Sequence, residues 1–132
     1  MDKKALILVV DDNAACRELL VRTLETNGFQ TISANGGCEA VELASEYQPG
    51  LVLMDLNMPD MNGYEATRAI HAHRQGRNIP VVAVSADCVG SFELWAFESG
   101  FITFLAKPWD EEALLEIVTQ VLTSRFKSRR AA

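Results

Sequence analysis

The chain has 132 residues, 48% of them hydrophobic and 23% charged, with a formal net charge of −6. That length suits one domain with a core of its own, and the acidic balance excludes a nucleic-acid binder working through a basic face. Its three cysteines, Cys16, Cys38 and Cys88, show neither metal-ligand spacing nor an even-numbered framework, and read as small buried or half-buried thiols of a reducing compartment.

Met1-Asp2-Lys3-Lys4 leads into the apolar run Ala5 to Val10, which stops at Asp11-Asp12. Six apolar residues are too few for a membrane span or a secretory core, so the cytoplasm is the expected compartment. A continuous Ile/Val-rich run predicts a strand buried on both faces, as in a parallel sheet. Asn13 can cap the next helix, which carries Leu20 and Leu24 one turn apart and ends at Asn27-Gly28. Phe29 to Ala34 is a second strand, Asn35-Gly36-Gly37 breaks the chain, and Cys38 to Tyr47 is a helix with Ala40, Val41 and Ala44 on one side. Pro49-Gly50 punctuates before a third strand, Leu51 to Met54, which ends at Asp55. Pro59 to Gly63 is a loop, and Tyr64 to Arg74 is a helix with Ala66, Ala69 and Ile70 inward. A fourth strand, Val81 to Val84, ends at Ser85. A helix over Asp87 to Ser99 follows, and Gly100 ends it. Phe101 to Leu105 is a fifth strand, ending near Lys107-Pro108. Asp110 caps a last helix with an apolar stripe of Leu114, Ile117, Val118 and Val121. Five strand-helix units in alternation predict an α/β doubly wound parallel sheet with helices on both faces.

In such sheets ligands bind beyond the carboxyl ends of the strands, at the switch point of strand order. Those ends carry Asp11-Asp12, Asp55, Ser85 and Lys107-Pro108. If the first strand is central, the groups meet in one cleft. Two unit charges about 4 Å apart cost roughly 4 kcal/mol at an effective dielectric of about 20, so three converging carboxylates need compensation. A divalent cation supplies it, and a hard oxygen site with few protein ligands suits Mg²⁺. Lys107 adds a second positive charge on a flexible stem. One aspartate in such a place reads as a helix cap or turn residue; three, with a hydroxyl and a lysine, read as a site. Metal and ammonium together suit phosphoryl transfer, and a carboxylate can itself be the nucleophile. Asp55 is the best candidate, standing alone at a strand end before a loop.

Four segments carry a resemblance. Val-Val-Asp-Asp-Asn (9–13), Met-Asp-Leu-Asn-Met-Pro-Asp-Met-Asn-Gly-Tyr-Glu-Ala (54–66), Ile-Pro-Val-Val-Ala-Val-Ser-Ala (79–86) and Phe-Leu-Ala-Lys-Pro-Trp (104–109) resemble the receiver domain of two-component response regulators, in order and in spacing. The resemblance runs from about residue 5 to 122 and leaves 123–132 as a basic tail or linker. It implies the flavodoxin-like receiver fold, with strand order 2-1-3-4-5 and five flanking helices. It implies that Asp55 accepts phosphate from a phosphohistidine of a histidine kinase or phosphotransfer protein, and that the domain catalyses only its own phosphorylation and dephosphorylation. Asp12 would bind Mg²⁺ directly, Asp11 mainly through water, and Asn57 through its backbone carbonyl. Ser85 would be the switch hydroxyl on one phosphoryl oxygen and Lys107 the partner of another. Pro108 would follow a cis peptide bond that directs the lysine, and Gly63 would allow the tight turn into the third helix.

The sequence departs from the family pattern in places. The aromatic switch position falls on Phe104, where Tyr is frequent, so it lacks a hydroxyl. Asn62-Gly63 replaces the commoner Asp-Gly. Phe92, Leu94, Trp95 and Phe97 make the helix over 87–99 apolar nearly all round. Trp95 reads either as packed under a neighbouring loop or as part of a contact surface for a partner or a second copy. Trp109 shields the cleft rim or packs on the last helix. His71 and His73, two apart on a helix, do not share a face and read as solvated; Met54, Met58 and Met61 read as packing around Asp55. On the resemblance, phosphorylation would shift a two-state equilibrium, with Phe104 following Ser85 inward and the face of the 87–99 helix, the fifth strand and the last helix changing. Two other readings remain: an interaction module that works without phosphorylation, against which the complete acidic set weighs, and a flavin or nucleotide enzyme, for which Val10-Asp11-Asp12-Asn13 stands where a Gly-rich phosphate loop is needed. The stretch around Met58 to Arg68 resembles receivers of hybrid histidine kinases, so either a stand-alone regulator or part of a longer chain is expected.

Overall fold

A computed structural model describes residues 5–86 and 100–123. Its centre is a five-stranded sheet in the order β2-β1-β3-β4-β5, every neighbouring pair parallel. The strands are β1 (Leu6–Val10), β2 (Gln30–Ala34), β3 (Leu51–Asp55), β4 (Val81–Ser85) and β5 (Thr103–Ala106). The continuous apolar runs became the inner strands: every residue of β3 and β4, and all of β1 but Leu6, is buried. The more polar segments became the edges, β2 and β5, where only Ala34 and Leu105 are buried.

Side chains alternate across the sheet, as strand geometry requires. Leu8, Val10, Val52, Met54, Val81 and Ala83 face one core, closed by Ala40 and Ala44 of α2 (Gly37–Tyr47) and Ala66 and Ile70 of α3 (Gly63–Ala72). Ile7, Val9, Leu51, Leu53, Val82 and Val84 face the other, closed by Leu20 and Leu24 of α1 (Ala14–Thr26) and Leu114, Val118 and Val121 of α4 (Glu111–Leu122). Each fully buried Val, Leu or Ile adds about 1.5–3 kcal/mol, so one charged substitution in this pattern would undo the layer it sits in. Asn13, Asn62 and Asp110 cap α1, α3 and α4 by accepting the Cys16, Glu65 and Ala113 N–H groups. Among the described residues no helix is long and apolar enough to cross a membrane.

Several expectations need correction. The third helix ends at Ala72, and Arg74–Gly76 form a separate 3-10 turn, because His73 is extended and the chain folds back over the helix end. Thr67 is fully buried where Ala69 is only half-buried. β5 starts at Thr103: Gly100 has a left-handed φ of 103°, and Phe101 enters the core before the strand begins, edge-on to Tyr64 with ring centroids 5.7 Å apart. Cys38 is exposed, since its position opens α2 on the solvent side. His73 is exposed as expected, but His71 is half-buried and its Nε2 lies 2.8 Å from the Ile79 carbonyl oxygen. The helix expected over 87–99, with Trp95, and the basic residues after Thr123 lie outside the described residues.

Candidate functional site

The parallel register sets the site. Val10 is level with Ala34 and with Met54, Asp55 with Val84, and Ser85 with Ala106. The carboxyl ends of β1, β3, β4 and β5 therefore finish side by side, and the residues there meet although the chain separates them widely. One carboxylate oxygen from each of Asp11, Asp12 and Asp55 lies within 4.8 Å of the others. Asp11 and Asp55 are 1% and 6% exposed, whereas Asp12 is exposed at the mouth.

Lys107 joins them from the end of β5. Its Nζ donates to Asp11 Oδ2 at 3.0 Å and to Asp55 Oδ1 at 3.4 Å. Its backbone N–H donates to the Ser85 carbonyl at 2.9 Å, and the Lys107–Pro108 peptide is cis. Ser85 is 1% exposed and stands beside Asp55 at the sheet end. Phe104 is half-buried against the core shared by α2 and α3, and Trp109 packs on the opposite core with Leu114 and Val118.

Local bonds hold the acidic loop in place. Asp11 Oδ1 accepts the Asn13 N–H at 2.9 Å, and the Asp11 carbonyl accepts Arg17 Nη1 at 2.8 Å. Arg17 was not singled out from the sequence; its place one turn into a helix that follows two aspartates was the available signal. Burial first, and the Asp11 charge second, push the Asp55 carboxyl up to about 6 from its ordinary 3.8, against the opposing pull of Lys107 and the Asn57 backbone N–H. Burial draws the Lys107 ammonium down, but the Asp11 hydrogen bond and the charges of Asp11 and Asp55 outweigh it and leave the group raised.

Gly63 needs its lack of a side chain for a reason other than the expected turn. It is the first residue of α3 and has no positive φ. A Cβ there would run into the Asp55 carbonyl oxygen and lie 2.9 Å from Leu56 Cα. Asn62, where the family pattern more commonly has Asp, forms a capping box with Glu65: Asn62 Oδ1 accepts the Glu65 N–H at 2.9 Å and Glu65 Oε1 the Asn62 N–H at 3.3 Å.

Three carboxylates around a partly open mouth form a hard, anionic oxygen set, able to hold a divalent cation that keeps some of its waters. Among the described residues the clustered donors are these carboxylate oxygens, which fit Mg²⁺ rather than a softer metal.

The model of the response regulator receiver domain matches residues 7–119. The protein PilH of Pseudomonas aeruginosa is 37% identical over 118 residues, 89% of this chain and 98% of PilH. The polar-differentiation response regulator DivK of Brucella ovis is 31% identical over 88% of this chain and 94% of its own. Among solved structures, the receiver domain of the sensor histidine kinase PA1611 from P. aeruginosa, with a magnesium ion coordinated in its active-site cleft, superposes with a TM-score of 0.86 at 29% identity, covering 92% of this chain and 100% of that one. The Vibrio cholerae chemotaxis protein CheY4 superposes with a TM-score of 0.86 at 27% identity, over 90% and 99%. Because the family match spans the carboxyl ends of all the strands that build the cleft, the chain belongs to the response regulator receiver domains, signalling modules of two-component systems.

Proposed function

We propose that Asp55 accepts a phosphoryl group from a phosphohistidine of a histidine kinase or histidine phosphotransfer protein, with Mg²⁺ held by Asp11, Asp12, Asp55 and the Asn57 backbone carbonyl. The observation that carries this is Lys107 Nζ bridging Asp11 and Asp55, at 3.0 and 3.4 Å, beside a third carboxylate. Such an arrangement gains little as structure alone, since desolvating clustered charges is costly. The magnesium in the PA1611 receiver supports the choice of ion.

A carboxylate oxygen of Asp55 attacks the phosphorus as the P–N bond breaks, and the electron pair leaves with the imidazole. The bound cation would supply neutralisation of the phosphoryl oxygens. Lys107 would pair with one phosphoryl oxygen and the Ser85 hydroxyl with another. Water attack on phosphorus would later return Asp55 to the free carboxylate, so the domain catalyses only its own phosphorylation and dephosphorylation. Drawing Ser85 inward would let Phe104 follow, and the β5–α4 side would then change its contacts with a downstream partner or a second copy. Residues 5–122 are the receiver unit and 123–132 a basic tail or linker, and the cytoplasm is the compartment where a kinase phosphohistidine meets it. Asp55→Asn tests the assignment: labelling by a small phosphodonor in Mg²⁺ should vanish. Retained labelling at the wild-type level overturns it.

A further inference from the structure

The start of α2 is capped from outside its own neighbourhood. A helix leaves its first N–H groups without intrahelical acceptors. The residue at the N-cap of α2 is Gly36, which has no side chain to offer. Glu39 reaches back past the cap residue and accepts the Asn35 N–H at 3.0 Å. The cap of the first helical N–H groups comes from Asp60 in the loop between β3 and α3: its Oδ1 accepts the Gly37 N–H at 3.2 Å and its Oδ2 the Cys38 N–H at 3.0 Å. Those hydrogen bonds, with Cys38 and then Gly37, hold the Asp60 carboxyl below its ordinary value.

The two glycines make room for this. A Cβ on Gly36 would sit 2.9 Å from both Asp60 carboxylate oxygens, and one on Gly37 would sit 2.7 Å from the Met61 carbonyl oxygen. Gly36 has φ −173° and ψ 174°, extended backbone open to any residue, so only the Asp60 carboxylate requires glycine there. The loop so fastened runs from Asp55 to Gly63 and contains Asn57. Its far end is closed by the Gly63 N–H on the Leu56 carbonyl at 2.9 Å, and Met58, 7% exposed, anchors its middle. Asp60 ties this loop to a separate element of the fold through two hydrogen bonds.

We propose that Asp60 is a positioning residue for the acidic site: by capping α2 across the chain it fixes the loop that presents the Asn57 carbonyl to the cation beside Asp55. The inference rests on the cation site proposed above. Asp60 touches no reacting group; it acts through the loop backbone. A cap that served only α2 could be replaced locally, and one that holds the loop could not.

Calorimetric titration with Mg²⁺ and thermal unfolding in EDTA separate these roles. Asp60→Ala should lower the unfolding temperature and weaken Mg²⁺ binding by about tenfold, the low end of what losing an outer partner of a metal site costs. Gly36→Ser added to Asp60→Ala gives α2 a local cap in the space the carboxylate leaves. The double variant should regain the unfolding temperature and keep the weak Mg²⁺ binding. Unchanged affinity in Asp60→Ala, or affinity that returns with stability in the double variant, overturns the proposal. If Asp60→Ala does not fold, Asp60→Asn, which keeps one acceptor oxygen and leaves Gly36 untouched, carries the comparison by itself: weakened Mg²⁺ binding supports the loop role and wild-type affinity overturns it. Asp55→Asn run alongside reports on the cation site itself: wild-type affinity there overturns that assignment, whereas its loss with no change in the Asp60 variants overturns the loop role alone.

Discussion

Asp55→Asn should stabilise the metal-free protein at neutral pH. The folded chain holds the Asp55 carboxyl at about 6 against an ordinary 3.8, mainly because the group is buried and stands beside Asp11. Between those two values the folded state binds more protons than the unfolded one, so stability falls as pH rises through the window and stays lower above it. A difference of about 2 units corresponds to about 3 kcal/mol at full strength, and coupling to Asp11 and Lys107 reduces it to about 1–3 kcal/mol. Asn keeps the shape and an acceptor for Lys107 while removing the charge. For a chain of this length that gain raises the unfolding temperature by about 5–10 °C. The assay is thermal and urea unfolding in EDTA, at about pH 7.5 and about pH 4, for wild type and variant. The gap should be wide at the higher pH and close at the lower, and Mg²⁺ should narrow it by stabilising the wild type more. Equal stability at pH 7.5, or a variant less stable than wild type there, would refute the claim that Lys107 compensates the crowded carboxylates at this sheet edge only in part.

Three further variants test neighbouring parts of the structure. Lys107→Ala removes the ammonium that pairs with both the Asp11 and the Asp55 carboxylates; it should cost about 2–4 kcal/mol in urea unfolding without metal near neutral pH, with a smaller loss at about pH 3, where the Asp55 carboxyl holds a proton. Gly63→Ala drives a methyl group into the Asp55 carbonyl and towards Leu56 Cα, and should cost about 1–3 kcal/mol or more with weakened Mg²⁺ binding; a neutral result would mean that α3 can move away from β3 freely. Thr67 Oγ1 is buried without a hydrogen-bond partner, so Thr67→Val should raise the denaturant midpoint by about 1 kcal/mol equivalent, and a loss of similar size would show that the hydroxyl is bonded.

The elements were legible because their signals are local. Runs such as Leu51 to Met54 can be satisfied only inside a parallel sheet, and each stops where a charged or hydroxyl residue must leave the core. Where two constraints competed, the sequence was less informative. Thr67 displaced Ala69 from the inward face of α3, because the packing neighbours decide which of two adjacent small residues turns inward. Phe101 was read as strand because it is apolar, but it serves the core from a loop opened by Gly100 at φ 103°. The Asp60 cap was invisible in the chain order, as its partners lie 22 and 23 residues away; the nearest sequence signal was a helix starting after two glycines with no capping side chain of its own.

The sequence by itself determined which residues could do chemistry: aspartates, a serine and a lysine at the ends of apolar runs have no place in the layers and must emerge at one edge. Only the tertiary structure decided how they act together. The separation of Asp11 from Asp55, the bridging of both by Lys107, and the raised Asp55 carboxyl follow from parallel register and shared burial. Electrostatic energy depends on distance and on the surrounding dielectric, and neither is written in the order of residues along a chain.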